Sequence, residues 1–154
     1  MSDLNPQSTA KIAGHPLHPM IIPFPIVFFV SALVTDIVYL QSGRPGFADA
    51  SVWLLGAGIA MALLAAILGF IDFFGESRIR SLRHAWMHMI GNLVAVILEV
   101  VNLWIRSTQG TEAAIVPTGV TLSVIVTLLL LFNGWMGWEM VYRHHVGVAD
   151  VIER

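Results

Sequence analysis

Hydrophobic positions form four long runs along the chain, separated by short polar stretches. The runs lie near residues 19–40, 51–74, 86–106 and 118–141. Each run meets the roughly 20 residues that an α-helix needs to cross a bilayer core of about 30 Å. The short connections, rich in Ser, Gly, Arg, Pro and Thr, favour antiparallel neighbours. The pattern therefore predicts an all-α integral membrane four-helix bundle with up-down antiparallel topology, forming a single transmembrane domain over residues 1–154.

The composition of the chain limits its chemistry. Of 154 residues, 56% are hydrophobic and 12% are charged, against about 25% charged in a typical soluble protein. The formal net charge of −2 gives no basic excess for nucleic acid. The absence of cysteine excludes iron–sulfur ligation, thiolate metal sites and covalently attached c-type haem. Without a phosphate-binding loop or nucleophile motif, an electron-transfer or binding protein is favoured over a classical enzyme.

The basic residues near the ends of the predicted spans are distributed unequally between the two sides. One side holds Lys11, Arg78, Arg80, Arg83, Arg143 and Arg154, whereas the other holds Arg44 and Arg106. Short loops rich in Lys and Arg stay in the cytoplasm. We therefore predict a multi-pass protein with both termini on the cytoplasmic side.

Polar residues in the third run recur at helical spacing, and we call them the third-span stripe. The stripe is His84, His88, Asn92, Ala95, Glu99, Asn102 and Arg106. The second run carries a stripe of small and acidic residues, Gly58, Ala62, Ala65, Gly69, Asp72 and Glu76. Polar groups facing lipid are costly, so we predict that both stripes face the bundle and pack together. Asp36 should either approach the outer end of the third-span stripe or reach headgroup water.

Histidine is the main source of ligand chemistry in this chain. The predicted topology places all six at the cytoplasmic end: His15, His18, His84, His88, His144 and His145. Prolines beside His15 and His18 favour an extended backbone there. His84 and His88 are four residues apart and share a helix face. Interfacial imidazoles often lie among headgroups, but His88 is a turn inside the span and on the buried stripe.

Three motifs carry a resemblance to a known family. The chain has Gly-His-Pro-Leu-His-Pro at 14–19 leading into Pro-Phe-Pro at 23–25, Gly-Phe-Ile-Asp at 69–72, and Gly-Trp-Met-Gly-Trp-Glu-Met-Val-Tyr-Arg-His at 134–144. These resemble domain-of-unknown-function family 2231, small bacterial membrane proteins, over nearly the whole chain. The resemblance implies a bacterial inner membrane location. Its relatives occur fused to or alongside c-type cytochrome domains, which implies a redox setting and a c-type cytochrome or other redox partner.

The leading functional hypothesis is a b-type haem protein that transfers electrons within the membrane. Haem iron accepts imidazole ligands without cysteine, and helix bundles hold such groups between inward-facing side chains. The candidate residues are His88 as the first axial ligand, His18 and His144 competing for the second position, His84 beside them, and Arg83 and Arg143 for the propionates. Guanidinium groups suit carboxylates.

Two alternatives use the same end of the bundle differently. A non-haem iron, copper or zinc ion could be held by His18, His84 and His88 with Asp72 or Glu139. Alternatively, the stripe is hydrated and serves a cofactor-free proton-relay or assembly subunit. Each hypothesis requires contact with the lipid bilayer and is compatible with a homo-oligomer.

Overall fold

The computed structural model describes residues 5–149 and contains a short hairpin followed by helices. The two strands, β1 (Lys11–Ile12) and β2 (His15–Pro16), pair in antiparallel fashion. The helices are α1 (His18–Ile21), α2 (Pro23–Ser42), α3 (Pro45–Gly75), α4 (Ser77–Arg80), α5 (Arg83–Gln109) and α6 (Val120–Trp138). π-Helical turns at Ile115–Gly119 and Glu139–Arg143 flank α6.

Within the described part of the chain, four helical segments are long and apolar enough to cross a membrane. They are His18–Ser42, Pro45–Gly75, Arg83–Gln109 and Ile115–Arg143. Helix α2 packs against α3, α5 against α6, α2 against α6 and α3 against α5. This arrangement confirms the predicted all-α bundle of four membrane-length helices.

The second membrane helix begins six residues earlier than the hydrophobic run near 51–74 indicated. Gly43 ends α2 in a left-handed conformation with φ of 64°, and Pro45 lies in the first turn of α3. Glycine accepts this conformation without strain, and proline suits a first helical turn because its missing N–H has no partner to lose there. Of residues 41–50, which connect the first two hydrophobic runs, all but Gly43 and Arg44 are therefore helical.

The centre of the bundle is closed by apolar side chains from all four long helices. These are Phe29, Ala32, Leu55, Ala62, Ala95 and Val126, none more than 8% exposed. Large apolar side chains such as Trp53, at 80% exposure, lie on the outside. Small residues at the centre let the helix backbones approach closely, as membrane bundles require.

The third-span stripe faces inward, as predicted, but the predicted packing of the second-span stripe was only partly correct. Ala62 of α3 and Ala95 of α5 share the central core. Gly58, however, lies against Phe29 of α2, and Gly69 lies against His18. The reason is that α2 pairs closely with α3 and that the N-terminal segment folds back over the end of α3.

Gly58 provides a prediction about this packing. A Cβ atom at Gly58 would lie 2.5 Å from Cε1 of the buried Phe29 ring, whereas a Cβ at Gly56 would meet nothing within 4 Å. We expect Gly58→Ala to lower the free energy of unfolding by about 1–3 kcal/mol through overpacking. Gly56→Ala should instead raise it by about 0.5–1 kcal/mol, because alanine suits a helix interior better. Denaturant unfolding in detergent compares the two, and equal effects would contradict the close α2–α3 contact.

Candidate functional site

All six histidines lie at one end of the bundle, which we call the histidine end. His15 is exposed in β2, and its Nδ1 lies 3.0 Å from the Ala13 carbonyl oxygen. His145 is also exposed, beyond the π-helical turn that follows α6. The remaining four histidines form two pairs of neighbouring rings. These two pairs define the candidate site.

The first pair joins His18, the first residue of α1, to His88 in the second turn of α5. Their ring centroids are 6.3 Å apart and the ring planes are nearly perpendicular, at 83°. Nδ1 of His18 lies 2.8 Å from the Ala65 carbonyl oxygen, and Nδ1 of His88 lies 2.9 Å from that of Asn133. Because a carbonyl oxygen only accepts, each Nδ1 carries a hydrogen and donates it. In the neutral rings, both Nε2 atoms therefore keep a free lone pair.

Glycines make room for these two rings. A Cβ atom at Gly69 of α3 would lie 3.2 Å from Cε1 and Nδ1 of His18, closer than side chains normally approach. A Cβ atom at Gly137 of α6 would lie 3.4 Å from Cε1 of His88. The Asn133 side chain occupies the place that a Cβ atom at Gly91 would need. The glycines of this region thus set how closely the imidazoles and their anchors approach the backbone.

The bundle is less tightly closed around the histidines than at its other end. Along the third-span stripe, Ala95, Glu99, Asn102 and Arg106 are buried, whereas His84, His88 and Asn92 are only half-buried. The Asn92 amide donates to the His88 carbonyl oxygen, and the Asn133 amide donates to Oδ1 of Asn92. The site is therefore lined by polar groups and partly open.

The second pair joins His84 and His144 closer to the end of the bundle. Their centroids are 5.4 Å apart and the planes are tilted by 38°. Nε of Arg143 lies 3.2 Å from Oε2 of Glu139, whose side chain is only 5% exposed. The Arg143 side chain is 66% exposed, and Arg83 is exposed at the start of α5. Both arginines are thus within the region of the histidines and accessible from outside the bundle.

Asp72 ties the N-terminal segment to the end of α3. Its Oδ1 accepts hydrogen bonds from the backbone N–H groups of Thr9 and Ala10, each at 2.7 Å, and from the Ser8 hydroxyl at 2.8 Å. The predicted extended backbone is present at His15, which lies in β2. The prediction was wrong for His18, which is the first residue of α1, with Pro19 in the first turn of that helix. Asp72 therefore helps to position the segment that carries His18.

Replacing Asp72 tests this role. Asp72→Ala should expose the amides of Thr9 and Ala10 and increase their hydrogen-exchange rates at least several-fold, because each loses its acceptor. Asp72→Asn retains one side-chain oxygen and should give a smaller increase. Hydrogen exchange followed by mass spectrometry measures both variants. Unchanged protection in Asp72→Ala would show that other contacts hold the segment.

The candidate ligands of a bare metal ion do not come together. Within residues 5–149, no group of three or more His, Asp or Glu side chains could hold one ion. His18 and His88 form one pair, His84 lies beside His144, and Asp72 holds the N-terminal segment. Glu76, at the end of α3, is also engaged. The Arg78 side chain donates hydrogen bonds to the Glu76 carboxylate and lowers the pKa of that carboxyl. The acidic residues at this end are therefore engaged in structural contacts.

A buried ion pair lies at the opposite end of the bundle. Nη1 and Nη2 of Arg106 donate to the two carboxylate oxygens of Asp36 at 2.8 and 2.6 Å, and neither side chain is exposed. This contact confirms that Asp36 meets the outer end of the third-span stripe. Two polar residues with a role were not predicted from the sequence. Ser51 of α3 accepts a hydrogen bond from Nη1 of Arg106 at 3.0 Å, and the Asn133 carbonyl accepts one from His88 at the histidine end. Both are polar residues within a hydrophobic run, and that position could have identified them.

The fold and the site define a multi-pass membrane four-helix bundle with paired histidines at one end. The chain belongs to the predicted membrane protein family DUF2231, whose profile matches residues 14–150. This match confirms the family that the sequence analysis identified. Searches of curated proteins and of solved structures found no significant match to the chain.

Proposed function

We propose that this protein is a membrane-embedded b-type haem protein in electron transfer, with His18 and His88 as the axial ligands. The observation that carries the proposal is the pairing of two imidazoles from different helices, each anchored through Nδ1 to a backbone carbonyl. Such bonds fix the tautomer and orientation of metal-binding histidines and make Nε2 a better ligand. Haem iron with two imidazole ligands supplies one-electron transfer.

The spacing of the two rings supports a shared metal centre. Imidazole nitrogens bind metal ions at about 2.0–2.1 Å, so one ion bound by two opposed Nε2 atoms would hold the ring centroids about 6 Å apart. The centroids of His18 and His88 are 6.3 Å apart. The separation of the two rings is therefore compatible with two imidazoles bound to one ion.

The number of ligands favours haem over a bare ion. A zinc or similar ion needs three or four protein ligands in a stable site, and no third ligand accompanies the pair within the described residues 5–149. Haem brings four nitrogens of its own and needs only two from the protein. His144 neighbours His84 rather than His88, which favours His18 as the second axial ligand. Arg83 and Arg143 are the candidate partners of the propionates.

The distribution of charge supports cytoplasmic termini. Arg106 was counted with the side opposite the histidines, but it is buried in an ion pair and does not lie in a loop. Of the two basic residues assigned to the side opposite the histidines, only Arg44 therefore remains. Arg154, which was assigned to the histidine side, lies outside the described residues. We propose that the histidine end faces the cytoplasm of a bacterial inner membrane.

Absorption spectroscopy tests the proposed function directly. The full chain is expressed with an adequate haem supply, extracted in detergent and examined in oxidised and reduced states, with metal analysis on the same sample. We expect a Soret band, sharp reduced bands typical of low-spin iron, and about one haem per chain. A sample without haem would refute the proposal. Iron, copper or zinc bound without haem would instead support the bare-ion hypothesis.

A further inference from the structure

Glu99 is a buried carboxyl inside the membrane-spanning part of α5. Its side chain has no exposure to solvent. Oε2 accepts a hydrogen bond from the Asn102 amide at 3.0 Å. Oε1 is equally buried and has no hydrogen-bond partner. One half of this carboxyl is therefore satisfied and the other half is directed into the protein without a polar contact.

The charge near Glu99 is already balanced. The guanidinium of Arg106 binds both oxygens of Asp36, and its Nε donates to Oδ1 of Asn102 at 2.9 Å. The groups that join this network from the neighbouring helices are the hydroxyls of Ser51 on α3 and Ser123 on α6. The ion pair of Asp36 and Arg106 is neutral as a unit. An ionised Glu99 would add an uncompensated negative charge.

An uncompensated carboxylate inside a membrane bundle is far more costly than a neutral carboxylic acid. We propose that Glu99 is a proton-binding site: its carboxyl carries a proton within the membrane and exchanges it with water. A protonated Oε1 would be a donor, and because it has no protein acceptor, the exchange of its proton requires water to reach it. This inference is independent of whether the histidines bind haem.

The surroundings of Glu99 indicate the direction of exchange. Seven residues, or about 10 Å of helix, separate Glu99 from Asn92, the nearest polar residue of the stripe toward the histidines. Ala95 lies between them and packs with Phe29, Ala62 and Val126 in the apolar core. On the other side, polar groups continue through Asn102 and Ser123 to Arg106. Exchange should therefore proceed through the end opposite the histidines.

Infrared spectroscopy of the full chain in lipid nanodiscs tests the proposal. At neutral pH we expect a carbonyl stretching band from a protonated carboxylic acid, which shifts when the sample is moved into D₂O. Glu99→Gln should remove this band, because the amide is a neutral replacement of similar shape. Glu139→Gln is the matched control: Oε2 of Glu139 is also buried without a hydrogen bond, but it lies 3.2 Å from the charged Nε of Arg143, so Glu139 should be ionised and the band should stay in place.

Each other outcome overturns part or all of the proposal. If no acid band occurs at neutral pH, or if the band survives in Glu99→Gln, Glu99 is not the protonated group. If the band belongs to Glu99 but does not shift in D₂O, the proton is trapped and no exchange takes place. Thermal unfolding of Glu99→Gln should match the parent within a few degrees, so that loss of the band is not a loss of fold.

Discussion

Arg106→Met is expected to be the most destabilising single substitution in this protein. It would leave the Asp36 carboxylate buried without its partner, and breaking a buried ion pair in this way costs about 3–5 kcal/mol. Both side chains are fully buried and joined by two hydrogen bonds, so water cannot replace the guanidinium without opening the bundle. Thermal unfolding in detergent should show a melting temperature lower by about 6–20 °C.

A double variant provides the control for this loss. Asp36→Leu combined with Arg106→Met removes both charges and replaces them with apolar groups, which is often neutral or stabilising. We expect the double variant to recover most of the lost stability. If it is as unstable as Arg106→Met alone, the ion pair does not account for the loss, and the hydrogen bonds to Ser51 and Asn102 become the explanation.

His88→Ala and His18→Ala are each expected to abolish haem binding. Each removes one axial ligand of the proposed pair, and no neighbouring imidazole lies at the same depth to replace it: His84 is a full turn closer to the surface and is paired with His144. The haem-to-protein ratio, taken from the Soret absorbance of each purified variant, measures the effect. Elution by size exclusion as a single peak confirms that the variant remains folded.

His145→Ala and His144→Ala are the matched controls for the ligand pair. His145 is exposed and should have no effect on haem content. His144→Ala tests the competing assignment of the second axial ligand and should also leave haem in place. Haem retained by His88→Ala but lost in either control would show that the ligand pair is wrongly assigned.

Much of the architecture was predictable because the membrane restricts what each helix face can present. The spacing from His84 to Arg106 fixed the inward face of α5, since polar side chains facing lipid are costly. The same cost left two positions for Asp36, the outer end of that stripe or headgroup water, and the structure has the first. Helix boundaries were less predictable, because a helix such as α3 begins before its long apolar run, in a segment that starts with Pro45 and Gly46.

The details of the candidate site depended on information that helical spacing does not contain. Spacing shows that His88 faces inward, but it does not show which helix lies opposite or that His18 meets it. The anchors of both rings are backbone carbonyls, of Ala65 and Asn133, and carbonyl groups occur at every residue. Asp72 resembled a metal ligand by residue type alone, whereas its partners are backbone amides and a hydroxyl of the N-terminal segment, whose path could not be predicted.

The anchors of the two rings divide the site between two helical hairpins. His18 is held by a carbonyl of α3, in the hairpin formed with α2, and His88 is held by a carbonyl of α6, in the hairpin formed with α5. Each hairpin therefore carries the anchor of only one of the two rings. A ligand that binds both rings therefore stabilises the docked hairpins over the separated ones, by mass action. Binding of such a ligand would therefore show that the two hairpins have docked, which is a later step than insertion of the helices into the membrane.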